Sequence, residues 1–231
     1  MKKIHYDRKY FEDRDRLDLH IVESIKILMQ DNNLKRVLDV GCGTGKIVQF
    51  FNQQGFNAIG CDKSKIAIEV AKKVSKKSFI VASATKLPFK TGSFDLVISI
   101  STIEHLIQDD VRQFLQEACR VLKPHGFIFM ITPNYASPLR YLLGKKWFGY
   151  SDPTHITFFT PKMLSTRLVQ SGFKNIKLRL KTAYNVPSNL HLPGFLRQLP
   201  MPIKNALNYL MISSPLSTLR DSFWIAAQKN E

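Results

Sequence analysis

"VLDVGCGTGKI", Val37 to Ile47, is a short apolar run that empties into glycines at alternate positions, Gly41, Gly43 and Gly45. Branched residues ahead of clustered glycines read as a buried strand feeding a tight turn. Glycines at a strand exit let a ligand come close to the backbone. The spacing fits neither the G-x-G-x-x-G of dinucleotide folds nor the G-x-x-x-x-G-K-[ST] of phosphate loops. An acid, Asp39, also stands two places before the first glycine, where a carboxylate repels phosphate and attracts a cation.

Working outward, "FNAIGCD" is a second strand that carries Asp62 at its carboxyl end. Its distance from the first glycine, roughly 20 residues, suits an acid that accepts from both hydroxyls of a ribose. Together the two acids and the loop describe a nucleoside with a cationic amino-acid tail and no diphosphate. S-adenosylmethionine has that chemistry.

Strands and helices then alternate. "RLDLHIVESIKILMQ" is a helix with Leu17, Ile21, Ile25 and Leu28 on one face, and "GKIVQFFNQQG" is a helix stopped by Gly55. "SKIAIEVAKKVSKK" is a helix opened by Ser64, "SFIVAS" a third strand, "FDLVISIS" a fourth and "DDVRQFLQEACRVLK" a helix. "GFIFMIT" is a fifth strand after a "KPHG" turn; later come the helix "TPKMLSTRLVQSG" and the strands "NIKLRLKT" and "SFWIAAQK". Such alternation predicts an α/β fold, a parallel sheet with helices on both faces. A single domain is expected: an arm and helix over 1–34, a cofactor-binding core over 35–134, and acceptor-side loops, lid and final strands over 135–231.

The 231 residues carry 34 Lys and Arg against 18 Asp and Glu, a formal charge of +16 that favours an anionic partner. The odd cysteines, Cys42, Cys61 and Cys119, form no C-x-x-C pair, so neither a disulfide framework nor a zinc site follows. The charged opening "MKKIHYDRKYFEDRDRLD" lacks an apolar leader core, and no apolar run is long enough to span a bilayer. A cytoplasmic protein is expected.

The ordered set "VLDVGCGTGKI", "GCDKSKIAIEVAK", "LPFKTGSFDLVISISTIEHL" and "RVLKPHGFIFMITPN" resembles the class I S-adenosylmethionine-dependent methyltransferases from about Lys35 to Asn134. The resemblance implies a Rossmann-like seven-stranded sheet of order 3-2-1-4-5-7-6 with the last strand antiparallel. It implies that Asp39 and the loop Gly41, Cys42, Gly43 and Gly45 hold the methionine moiety. Asp62 would take the ribose, with Lys63 beside the adenine. Ser83, where relatives often have an acid, would face the adenine with Ala84 and Thr85, and Ser99 on the fourth strand completes the cofactor contacts.

A hydroxyl acceptor needs a base. Glu104 and His105, in "STIEHL", are similar to an acid–histidine pair beside the cofactor in small-molecule O-methyltransferases. His155, in "DPTHITFFTP", sits in a stretch resembling one that closes over the site in a subgroup of these enzymes, where Asp152 can orient it. One of His105 and His155 is expected to be the base. Two side chains do not complete a metal site, so no metal is expected. Tyr10 and Phe11 are similar to an aromatic lid.

The expected acceptor is a small molecule, sugar-containing or lipid-linked. A quinone-type substrate, RNA and a non-catalytic binding role are the alternatives. RNA is disfavoured because no [DN]-P-P-[YF] motif ends the fourth strand and no Pro-Cys dipeptide occurs. The segment 190–220, with Ile203, Ala206, Leu207, Leu210 and Met211 on one face near Arg197, Lys204 and Arg220, could touch an anionic membrane.

Overall fold

The computed structural model describes residues 17–178, 198–213 and 220–231. Helix α1 is Leu19–Asp31, and Asp18 caps it by accepting from the amides of His20 and Ile21. Then follow β1 (Arg36–Val40), α2 (Lys46–Gln53), β2 (Asn57–Asp62), α3 (Lys65–Lys72), β3 (Phe79–Val81) and β4 (Phe94–Ile100). A 3-10 turn, Ile103–His105, leads to α4 (Gln108–Val121) and β5 (Leu122–Pro133). The acceptor side holds α5 (Pro138–Leu143), α6 (Phe148–Ser151), α7 (Pro161–Gln170), β6 (Phe173–Lys177), α8 (Met201–Ser213) and β7 (Ser222–Lys229).

The strands form one sheet in the order β3-β2-β1-β4-β5-β7-β6. β1 through β5 pair in parallel, and β7 runs antiparallel to both β5 and β6. This is the predicted Rossmann-like order.

Period-two alternation splits each central strand between two cores. Leu38, Val97, Ile128 and Ile225 face one way, against Phe114, Leu115 and Ala118 of α4 and Leu164 and Leu168 of α7. Val37, Leu96, Phe129 and Trp224 face the other, against α1, Val48 and Phe51 of α2, and Ile68 of α3. Strands buried on both faces need near-continuous apolar runs, and "FDLVISI" supplies one.

Three expectations are corrected in detail. The expected stripe of α1 does face the core, Ile25 and Leu28 buried with Leu17 and Ile21 packed half-buried against it, but Val22 and Met29 widen the buried face beyond that stripe. "KPHG" is not a turn ahead of the fifth strand but an irregularity inside β5. Phe94 pairs with Leu122 and Leu96 with Phe127, so β5 accommodates three extra residues, with His125 at φ 61°. β6 begins at Phe173 rather than Asn175, directly after Gly172 turns the chain at φ 92°. Residues 179–182 of the expected sixth strand, the Tyr10–Phe11 lid, and 190–197 and 214–219 of the expected membrane-facing segment lie outside the described residues.

Candidate active site

β1 and β4 are neighbours, and their carboxyl ends open at one edge of the sheet. Ligands of open α/β sheets bind at such an edge. A cavity of about 550 Å³ lies there, within the range of small-molecule sites. Asp39, Gly41, Cys42, Gly43, Asp62, Lys63, Ser83 and Ala84 line one part of it; Glu104, His105, Asp152 and His155 line another.

The glycine loop is held by β2. Gly41 and Cys42 donate their amides to the Cys61 carbonyl at 2.8 and 3.1 Å. Gly43 donates to Asp62 Oδ2 at 3.0 Å, and Ser64 donates to Asp62 Oδ1 at 2.8 Å. Asp62 therefore fixes the loop as well as facing the cavity. Gly41 has φ 80°, and a Cβ there would collide with Thr102, whose hydroxyl donates toward the Val40 and Ile100 carbonyls. Gly41→Ala should lower unfolding free energy by about 3 kcal/mol, left-handed strain adding to overpacking. Gly55→Ala, at φ 82° with open space around it, should cost about 1 kcal/mol. Urea titration of both variants checks this, and equal losses would remove Thr102 from the account.

Asp39 is 3% exposed. Burial first, and then the charge of Asp62, push its pKa up to about 7. Burial also raises Asp62, against the amide hydrogen bonds of Ser64 and Gly43. The buried Asp39 and the half-buried Asp62, at adjacent strand tips, disfavour each other's charge, and a cation beside them would relieve that cost. Burial likewise keeps the Cys42 and Cys61 thiols protonated, so neither is a nucleophile.

Ser83 and Ala84 line the cavity, and the Ser83 hydroxyl shares a hydrogen bond of 2.8 Å with that of Thr85. Thr85, Gly45 and Ser99 are not among the lining residues. Gly45, at φ 83°, heads α2, and a Cβ on it would strike Phe79. Ser99 is buried within β4, its hydroxyl without a partner among the described residues.

Elsewhere on the cavity wall, residues far apart in sequence meet. The loop 152–157 is stapled to the 3-10 turn: the amides of Ile156 and Thr157 donate to the Glu104 carbonyl at 2.9 and 3.1 Å. The rings of His105 and His155 lie with centroids 4.9 Å apart. The Thr154 hydroxyl donates to Asp152 Oδ1 at 2.6 Å and contacts His105 Nδ1 at 2.7 Å. Its hydrogen being spent on Asp152, Thr154 Oγ1 accepts, so His105 Nδ1 carries the proton. His155 Nδ1 meets the Gly149 carbonyl at 2.8 Å, which also makes it a donor. In the neutral tautomer that these contacts select, each imidazole carries its lone pair on Nε2.

Burial, and then His155, hold His105 down to about 4, so it stays neutral at physiological pH. Glu104 is 1% exposed and accepts from Thr132 Oγ1 at 3.0 Å, while its Oε1 has no partner among the described residues. Burial raises its carboxyl to about 8. Glu104, His105 and His155 each offer a donor atom within 4.8 Å of the others. A two-histidine, one-carboxylate set of this kind can hold a divalent cation. The sequence reading had no such set, because the third donor comes from a loop 50 residues further along the chain. It also missed Thr154 and Thr132, ordinary loop and strand residues whose roles arise only from tertiary contact.

Comparison with known proteins gives a consistent result. Residues 38–130 match the family described as methyltransferase domain. The chain is similar to the ubiquinone biosynthesis O-methyltransferase of Pelagibacter ubique, 34% identical over 122 residues that cover 50% of each chain. It is also similar to the chloroplastic tocopherol O-methyltransferase of Arabidopsis thaliana, 34% identical over 111 residues, 45% of this chain and 31% of that one. The chain spans about half the length of the first of these relatives. Among solved structures it resembles an S-adenosylmethionine-dependent methyltransferase from Thermotoga maritima, described as a possible histamine N-methyltransferase, with TM-score 0.64, 21% identity and coverage of 96% and 94%. That likeness concerns the fold.

Proposed function

We propose that this chain, whose residues 38–130 form a class I S-adenosylmethionine-dependent methyltransferase domain, moves a methyl group onto a hydroxyl of a small molecule. The observation that carries the reading is one cavity lined by two chemically distinct sets, raised carboxylates at the strand tips and a histidine pair. The residues fit the cofactor. Asp39 and Asp62 offer negative charge to its cationic tail and its ribose, and the Gly41–Gly43 backbone leaves space beside them.

S-adenosylmethionine, when bound, supplies an electrophilic methyl carbon. The protein then has to align the acceptor for in-line attack and take its proton. His105 is a poor proton acceptor at neutral pH, so we place His155 in the role of base, its Nδ1–H fixed by Gly149 and its Nε2 left for the acceptor hydroxyl. Relatives named for ubiquinone and tocopherol O-methylation support a hydroxyl and an amphipathic acceptor. Neither name speaks for the sugar-containing or lipid-linked precursor that the sequence suggested.

Labelled S-adenosylmethionine and a panel of catechols, lipid phenols, sugars, amines and RNA test the reading. Mass gain of one CH2 as a base-stable ether supports it, whereas label in amines or RNA alone would set it aside. A second reading rests on the three-donor cluster: a divalent cation held by Glu104, His105 and His155 would acidify the acceptor hydroxyl. Full turnover after exhaustive chelation, unchanged by added Mg2+, Mn2+ or Zn2+, would dismiss it.

The acids also set a pH dependence. With its pKa raised to about 7, Asp39 is protonated below that value and charged above it. A cationic cofactor binds the charged form, so affinity should rise with pH through 7. The dissociation constant should be about tenfold weaker at pH 6 than at pH 8. Titration calorimetry across that range checks it, and a flat profile would mean that Asp39 is ionised throughout.

A further inference from the structure

Charge is segregated along this chain. Between Asn134 and Asp221 there are twelve Lys or Arg residues and a single acid, Asp152, which is buried in the active site. Within that region, α5 and the turn after it carry an unusual surface. Tyr141 is 73% and Leu142 79% exposed, and Leu139 and Leu143 are exposed as well. Lys145 and Lys146 follow at once, both exposed, and no acid occurs from Tyr135 to Ser151.

The patch is held rigidly from beneath. Trp147 is fully buried and donates Nε1–H to Asp221 Oδ1 at 2.9 Å, and the Ser137 hydroxyl donates to the same oxygen at 2.8 Å. Arg140 donates to the Tyr135 carbonyl at 2.7 Å and lies 4.1 Å from the Tyr141 ring centroid. The exposure of Leu142 is therefore fixed by anchors on both sides of it in the chain. Phe148, at the end of the same segment, lines the cofactor cavity.

We infer that residues 139–146 dock on an anionic lipid bilayer, Leu139, Tyr141, Leu142 and Leu143 entering the headgroup layer and Lys145 and Lys146 meeting lipid phosphates. Large apolar and aromatic side chains flanked by lysines, with acids excluded, are what an interfacial contact requires. An RNA surface would use the lysines but would leave the leucines exposed to water. Among the described residues no helix is long and apolar enough to cross a membrane, so the contact is peripheral. Because Phe148 joins the patch to the cavity, a docked molecule would turn its acceptor side toward the bilayer.

Flotation of the full chain tests this without reference to turnover, so it stands or falls apart from the methyl-transfer reading. Wild type should float with vesicles of equal phosphatidylcholine and phosphatidylglycerol and stay behind with pure phosphatidylcholine. Tyr141→Glu/Leu142→Glu should cut the bound fraction at least tenfold with unchanged melting temperature and S-adenosylmethionine affinity. Lys145→Glu/Lys146→Glu should weaken binding about fivefold per charge removed. The inference is overturned if wild type ignores anionic vesicles or if both double variants float like wild type. It is equally overturned if Tyr141→Glu/Leu142→Glu instead splits a dimer, which would show a second copy on the patch. Polyuridylate binding that depends on the lysines alone, without vesicle binding, would point to RNA and end the proposal as well.

Discussion

Asp39→Asn is expected to weaken S-adenosylmethionine binding about a hundredfold while making the unliganded protein more stable above pH 7. The two effects share one cause. Asp39 is buried between β2 and β4, paired in register with Gly60 and Ile98, and burial lifts its pKa to about 7. Its folded value lies above the unfolded 3.8, so the charged form costs stability, fully above pH 7 and progressively less as pH falls toward 4. An asparagine has the same shape and no charge, and it relieves that cost. The carboxylate's attraction for a cation in a water-poor site is lost with it, and truncating one partner of a buried charge pair typically costs 2–5 kcal/mol, hence about a hundredfold or more. Calorimetry and thermal melts at pH 8 read both. Reduced affinity with reduced stability would instead mean that the amide side chain simply disturbs the strand tip.

His155→Ala is expected to lower the rate of methyl transfer about 10² to 10⁴-fold, the usual contribution of a positioned base, with the cofactor dissociation constant changed less than about threefold. His105→Ala should cost less in rate, because its ring is held neutral and its Nδ1 is committed to Thr154. Thr154→Val separates positioning from proton transfer. It removes the hydroxyl between Asp152 and His105, so the rate should fall no further than in His105→Ala while the pH–rate profile keeps its shape. Unchanged turnover in both histidine variants would remove the base from this site altogether.

Most of the cofactor half was legible because its logic is local. Asp39, the glycines and Asp62 are separated by a strand–turn–helix–strand unit whose geometry follows from apolar periodicity and backbone permissiveness alone. Where a tertiary constraint competes with a local one, the reading slipped. The buried face of α1 widens to Val22 and Met29 because the sheet covers more of the helix than the expected stripe, and the irregularity of β5 at "KPHG" is set by pairing with Phe94 and Leu96. The acceptor half was less legible still. His105 and His155 were recognisable one by one, but their 4.9 Å approach depends on two amides finding the Glu104 carbonyl across 50 residues. Nothing in hydropathy announces that contact. The exposed α5 surface was equally silent, since a run such as "YLLG" reads as core until its neighbours are known.

The anchoring of the 135–157 segment has a corollary for the acceptor. Its attachments to the scaffold include Asp221 beneath Ser137 and Trp147, the Phe159 carbonyl beneath Tyr135, His105 beside Thr154, and the Glu104 and Leu106 carbonyls beneath Ile156 and Thr157. None of those attachments involves a residue of the glycine loop. On the proposed reading, exchanging this one insert, His155 with it, would change what meets the acceptor, as a cartridge seated in an unchanged socket, while the glycine loop keeps its own supports on β2.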